Sequence, residues 1–181
     1  SPIISNQASF LIKNGCEIDF YLIQSKGFVG YFTEIFKLRA FLRKKHYDVF
    51  HAHYGLSAIV STLAGVRPLI VSLMGSDVHA GGWQKWLIKV FVKKRWVFTI
   101  AKSKELAEKV GENHCLVIPN GVDIETFYPI SKDIAKQRLG LDLSKRYLFF
   151  AANPARPEKN FNLAKQAYDN VESDGFVLVK M

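Results

Sequence analysis

Cysteine, methionine and long apolar runs are all scarce in this chain of 181 residues, which holds two cysteines and two methionines. Cys16 and Cys115 stand far apart, with no partner at metal-ligand spacing, so a disulfide framework and a cysteine-based zinc site are both excluded. Two buried thiols in a reducing compartment is the expectation that remains. No apolar stretch reaches the roughly 20 residues of a membrane-spanning helix, and no basic segment leads into a signal-peptide core. The chain therefore reads as unexported and cytoplasmic. Acid is also short, with 16 Asp and Glu against 25 Lys and Arg, which leaves a formal net charge of +9. Such a surface attracts nucleic acid, phosphorylated small molecules or acidic lipid alike. No repeat or low-complexity tract is present, which argues against a solenoid or a linker array. What the chain does have is apolar content, at 49%, and that is enough for a globular core.

Helical spacing runs through 5–14 and stops at Gly15, and the largely apolar run 18–23 reads as a strand. Over 31–45, Phe32, Ile35, Phe36, Leu38, Phe41 and Leu42 recur at helical spacing while Lys and Arg fill the outer face. Strands are predicted at 48–53, 68–74, 96–101 and 115–118, with helices at 58–64 and 104–110 between them. Alternation of apolar strands with helices predicts a doubly wound, Rossmann-like parallel sheet covered on both faces. The breaker cluster Pro119-Asn120-Gly121-Val122-Asp123 and the following Phe127-Tyr128-Pro129 set a boundary at 129/130. Beyond it come a strand at 147–152, a helix at 161–171 and a strand at 176–180, a unit too small to bury its own sheet faces. The expected organisation is a first domain, 1–129, lacking its first strand, and a truncated second Rossmann-like domain, 130–181.

Ligands of open parallel sheets bind outside the carboxyl ends of the strands. Gly75, Ser76, Asp77 and His79 follow the apolar strand 68–74 at such an end. Gly75 lets backbone approach a ligand, Ser76 and Asp77 can bond hydroxyls, and His79 can move a proton. Capping of the next turn by Ser76 or Asp77 accounts for them equally well. His51 and His53 share a strand face just before Tyr54 and Gly55. With no cysteine or carboxylate cluster beside them they do not make a metal site; a substrate role and a packed core histidine both remain open. Arg156, Lys159 and Asn160 precede the helix at 161–171, where cations and free backbone donors favour phosphate, although a solvated charged loop fits the same spacing. Residues 83–96 mix Trp83, Trp86 and Trp96 with five cations and no acid. That composition suits either an interfacial helix on anionic lipid or a packed helix with snorkelling lysines.

In order and spacing these segments resemble the retaining group-one glycosyltransferases of the GT-B fold, over nearly the whole chain. Ile118-Pro119-Asn120-Gly121-Val122-Asp123 with Phe127 and Pro129 is similar to that family's crossover between its two domains. The run Ala151-Ala152-Asn153-Pro154-Ala155-Arg156-Pro157-Glu158-Lys159-Asn160 is similar to its donor loop. His51-Ala52-His53-Tyr54-Gly55, Met74-Gly75-Ser76-Asp77 and Ala101-Lys102-Ser103 are further matches. The resemblance implies an acceptor-side domain followed by the opening of a donor-side domain, with transfer in the cleft between them and the anomeric configuration retained. It implies a nucleotide sugar as donor, a saccharide or lipid-linked acceptor, and neither metal nor other cofactor. Asp77 and His79 become the catalytic candidates. His51, His53, Gly55, Gly75, Ser76, Lys102 and Ser103 fall on the substrate side, and Asn153, Arg156, Lys159 and Asn160 on the donor diphosphate. Two departures stand out. Met74 occupies the place of a histidine common in relatives, and the family's later pair of glutamates lies beyond Met181, so this stretch alone is expected to be inactive. Similar proteins imply surface-polysaccharide assembly at the inner face of the cell membrane. A basic nucleic-acid-binding module is the rival class, against which no nucleic-acid fingerprint is found; a non-catalytic sugar- or nucleotide-binding domain is the third.

Overall fold

A computed structural model describes residues 2–25, 27–79, 82–171 and 175–180; the side chains of Phe28, Val78, His79 and Glu112 also lie outside the described set. The chain divides into two compact units, Ser1–Asp123 and Ile124–Met181. Residues 124–129, which the sequence reading keeps with the first domain, belong to the second unit.

In the first unit, β1 (Phe50–His53), β2 (Leu69–Ser72), β3 (Phe98–Ala101) and β4 (Cys115–Val117) form one parallel sheet in the order β1-β2-β3-β4. The chain returns between them through α3 (Gly55–Leu63), the short α4 (Ser76–His79), α5 (Trp83–Lys94) and α6 (Lys104–Val110), and α1 (Pro2–Lys13) and α2 (Gly27–Leu42) come first. Parallel neighbours need such crossovers because a tight turn cannot reverse the chain twice. The register Ala52↔Val71↔Thr99 lines one sheet face, and all three residues are buried. Ala58, Ile59, Ile88, Val92, Leu106 and Ala107 of the crossing helices join that core. Each Val, Leu or Ile so buried contributes about 1.5–3 kcal/mol.

Local chemistry sets the helix positions. Ile88 and Val92, one turn apart, give α5 its buried stripe, and Trp96 just beyond it donates from Nε1 to Thr62 Oγ1 at 2.8 Å. Ser103 caps α6, its Oγ accepting the Leu106 N–H at 3.2 Å. The opposite sheet face carries His51, His53, Ile70 and Ser72; it is the less covered one, with Phe98 and Leu116 exposed.

Two expectations fail locally. Residues 18–23 do not form a strand, because no neighbouring strand offers them a ladder among the described residues. The segment is used for side-chain docking instead. Tyr21 and Ile23 pack on the core, and the Tyr21 hydroxyl, Ser25 Oγ and Lys37 Nζ all donate to the buried Glu34 carboxylate at 2.7–3.0 Å. The second failure is the pair of buried thiols. Cys16 is exposed just past the α1 terminus and Cys115 half-buried at the start of edge strand β4, where burial pushes its thiol pKa up.

In the second unit β5 (Arg146–Phe150) and β6 (Phe176–Lys180) pair in parallel around α8 (Phe161–Asp169), after α7 (Lys132–Arg138). Neither helix has a fully buried residue, and Phe149 remains exposed.

Candidate functional site

A group of polar side chains of the first unit gathers where β1, β2 and β3 end. After His53 the backbone turns through Tyr54, held at φ 83°, a conformation that costs a non-glycine residue energy and requires support from its surroundings. The support is Asp77. Its Oδ2 accepts the Gly55 N–H at 2.9 Å, and the same carboxylate accepts Met74 N–H at 3.2 Å and Gly75 N–H at 2.9 Å. Asp77 thus ties the turn after β1 to the turn after β2, and at 2% exposure it has no face left for a ligand. Gly55 is fixed by space, since a Cβ there would stand 2.7 Å from Ile88 Cδ1 and 3.1 Å from Asp77 Cβ. Gly75 is fixed by conformation instead: its φ is +100° while nothing lies within 4 Å of a Cβ.

A hollow of about 140 Å³ opens beside these turns, lined among others by Met74, Gly75, Lys102, Ser103 and Lys109. On the less covered face of the sheet the His51 and His53 rings lie 4.2 Å apart, and His51 Nε2 is 2.9 Å from the buried Ser72 Oγ. Burial, then the His53 ring and then the Lys102 ammonium, lowers the His51 pKa to about 4. Burial first and Lys102 second also lower that of His53, and burial lowers that of Lys102 itself. Both imidazoles are therefore neutral at pH 7. A neutral ring can accept a proton from a hydroxyl, and His53 has no hydrogen-bond partner among the described residues. Lys102 supplies the positive charge.

Of the sequence-derived residues, His51, His53, Gly55, Gly75, Asp77, Lys102 and Ser103 are brought to this end of the sheet. Ser76 is there too, exposed at the start of α4; the His79 side chain lies outside the described residues. Ser72 and Lys109 were missed. Ser72 is legible in retrospect, as a lone hydroxyl in an apolar strand, in register with His53.

The other four candidates lie in the second unit. Asn153 Oδ1 accepts the Ala155 N–H at 2.9 Å, and Asn160, in the left-handed region at φ 50°, caps α8 by accepting the Leu163 N–H at 3.3 Å. Both asparagines shape the loop. Arg156 and Lys159 are its exposed cations. Arg156 pairs with Glu158, its Nε donating at 2.7 Å; among the described residues Lys159 makes no side-chain hydrogen bond or ion pair, though, after a backbone hydrogen bond and Arg156, its charge also helps lower the Glu158 pKa. No group of three or more His, Cys, Asp and Glu side chains with metal-holding geometry exists among the described residues.

A parallel α/β lobe of this kind is a Rossmann-like domain, in which ligands bind outside the carboxyl ends of the strands. Residues 3–95 match the family model described as glycosyl transferase 4-like, just over half of the chain. The chain belongs to that glycosyltransferase family. It is 31% identical over 144 residues to the UDP-Gal:alpha-D-GlcNAc-diphosphoundecaprenol alpha-1,3-galactosyltransferase of Escherichia coli, a match covering 70% of this chain and 37% of that protein. Among solved structures it resembles the sucrose-phosphate synthase of Thermosynechococcus elongatus, with TM-score 0.57 and 15% identity over 89% of this chain and 52% of the other. It also resembles Anabaena HepE, solved with UDP and glucose, with TM-score 0.53 and 14% identity over 96% and 58%. Both are GT-B glycosyltransferases, and the likeness to them is one of fold. The chain spans 37% to 58% of the length of these relatives.

Proposed function

We propose that the protein containing this chain transfers a sugar from a nucleotide sugar to a lipid-linked saccharide acceptor, with retention of configuration, in surface-polysaccharide synthesis. The observation that carries this reading is the 31% identity to a protein whose name pairs UDP-Gal with a diphosphoundecaprenol acceptor. The site chemistry supports it. Lys102 and the backbone around Gly75 offer a positive, hydrogen-bonding wall to the acceptor, with neutral His53 and exposed Ser76 and Ser103 as hydroxyl partners. Asp77 positions this wall without touching substrate. Arg156 and Lys159 neutralise the departing diphosphate, Arg156 exchanging Glu158 for phosphate oxygens that its planar fork fits better. Neither metal nor cofactor enters the scheme, because those two cations meet the leaving group's charge.

Peripheral membrane docking belongs to the same reading. Trp83, Trp86, Lys89 and Lys93 are exposed on α5 at spacings of three and four, and among the described residues no helix is long and apolar enough to cross a membrane. Docking on the inner face would bring the enzyme to a lipid-linked acceptor.

The test is calorimetric titration of the full-length protein with UDP-sugars. Wild type binds one of them, and Arg156→Ala with Lys159→Ala abolishes the heat; unchanged affinity in the double variant would remove the donor assignment. Proton NMR of the newly formed glycosidic linkage reads retention directly.

A further inference from the structure

A second hollow, of about 500 Å³, opens at the other end of the same sheet. It lies between the connection from α2 into β1 and the connection from α3 into β2, at the amino ends of both strands. About 13 Å of strand, four residues at roughly 3.3 Å each, separates it from the site described above. Leu42, Phe50 and Val66 supply an apolar lining, and Arg43, Lys44 and Arg67 supply charge.

Cations near helix carboxyl termini have an ordinary explanation, since they satisfy the last carbonyls and the helix dipole. At the carboxyl end of α3, beside Arg67, that work is done by a residue outside the hollow. Arg39 donates from Nη2 to Leu63 O at 2.8 Å and from Nε to Ala64 O at 3.3 Å. Asp19 reaches only Lys45, at 2.8 Å, and the Tyr47 hydroxyl, at 2.9 Å. Arg43, Lys44 and Arg67 make no ion pair or side-chain hydrogen bond among the described residues. Three exposed cations that line one hollow with no acid paired to them make it attractive to an anion.

We propose that this amino-end hollow binds a phosphomonoester or diphosphate group attached to an apolar or sugar moiety, at a site separate from the transfer site. Phosphate fits better than carboxylate because two guanidinium groups and an ammonium can engage several oxygens of one doubly charged group. The volume lies within the range of small-molecule sites, about 300–1,000 Å³, and exceeds what bare phosphate fills. Its apolar wall suits the rest of such a ligand. A lipid headgroup and a soluble sugar phosphate both carry this chemistry.

The experiment is titration of the full-length protein with inorganic pyrophosphate, followed by backbone amide NMR. Amide shifts are expected at 43–47 and 65–67, and Arg43→Gln/Lys44→Gln/Arg67→Gln should weaken that binding by at least about tenfold while Lys102→Gln leaves it unchanged. All three substituted side chains are exposed, so the triple variant is expected to keep the wild-type amide spectrum elsewhere. Competition by short-chain phosphatidic acid or by glucose 1-phosphate supports the proposal and says which source the site prefers. Shifts confined to 102–109 and 156–160, a triple variant within about twofold of wild type, or competition by neither compound would overturn it.

Discussion

The depressed pKa of His51 makes stability depend on pH in a way that can be measured residue by residue. Unfolding returns the ring to water and to its ordinary value of 6.5, against about 4 in the fold. Between those values the unfolded chain binds a proton there that the folded chain does not. Stability is therefore fully present above 6.5 and is lost as pH falls through about 4. At about 1.4 kcal/mol per pH unit, the whole descent is worth roughly 3 kcal/mol. His53, shifted the same way, adds loss of the same sign. The carboxylates whose pKa values are lowered, such as Glu34, lose their stabilisation only at more acid pH, so the window above about pH 4.5 belongs to the histidines. All three tryptophans lie in the first unit, which makes their fluorescence a reporter of that unit during urea unfolding. Wild type should lose stability steadily from about pH 6.5 down to 4.5. His51→Gln, whose amide can still bond Ser72, should remove roughly one proton's worth of that slope. Equal slopes in the two proteins, or a His51 ring proton titrating near 6.5 by NMR, would refute the reasoning.

Asp77→Ala should cost about 3 kcal/mol or more, because it strands three backbone donors at a buried position; Asp77→Asn, keeping one carbonyl oxygen, should cost less, and urea unfolding separates the two. Gly55→Ala should destabilise by about 1–3 kcal/mol, since Ile88 and Asp77 leave no space for a methyl group; a midpoint equal to wild type would show that helix α5 yields freely. Replacing Lys89 and Lys93 by Gln should weaken sedimentation with phosphatidylserine vesicles by about fivefold per charge at low salt, at roughly 1 kcal/mol each. Trp83→Ser with Trp86→Ser should weaken it further, and full binding by the tryptophan variant would remove α5 as the docking face.

The alternation of strands and helices was legible because its signal is local. Leu69-Ile70-Val71 is apolar with two β-branched residues, and Ile88 and Val92 repeat at one helical turn; neither signal needs knowledge of its partners. Residues 18–23 show the limit of that logic. The run is as apolar as a strand, yet a strand is a relation between two segments, and no second segment pairs with this one among the described residues. The packing of Tyr21 and Ile23 survived while the ladder did not, since side-chain packing needs only a surface.

The site was legible in position and much less so in role. Attention to strand carboxyl ends picked out turns after β1, β2 and β3 that the fold brings together, but it could not say which way a carboxylate faces. For Asp77 the decisive neighbour is Gly55, 22 residues away in sequence, and no spacing rule connects them. A turn that holds Tyr54 at positive φ needs its next N–H fixed, and a buried carboxylate that fixes it cannot also bind a sugar hydroxyl. The same turn explains why Gly55 follows Tyr54: the space a side chain would fill is taken by Ile88 and by Asp77 itself. The staple leaves Lys102 and His53 free at this end of the sheet, and the acid drawn from sequence as a reactant holds the turns beside them in place.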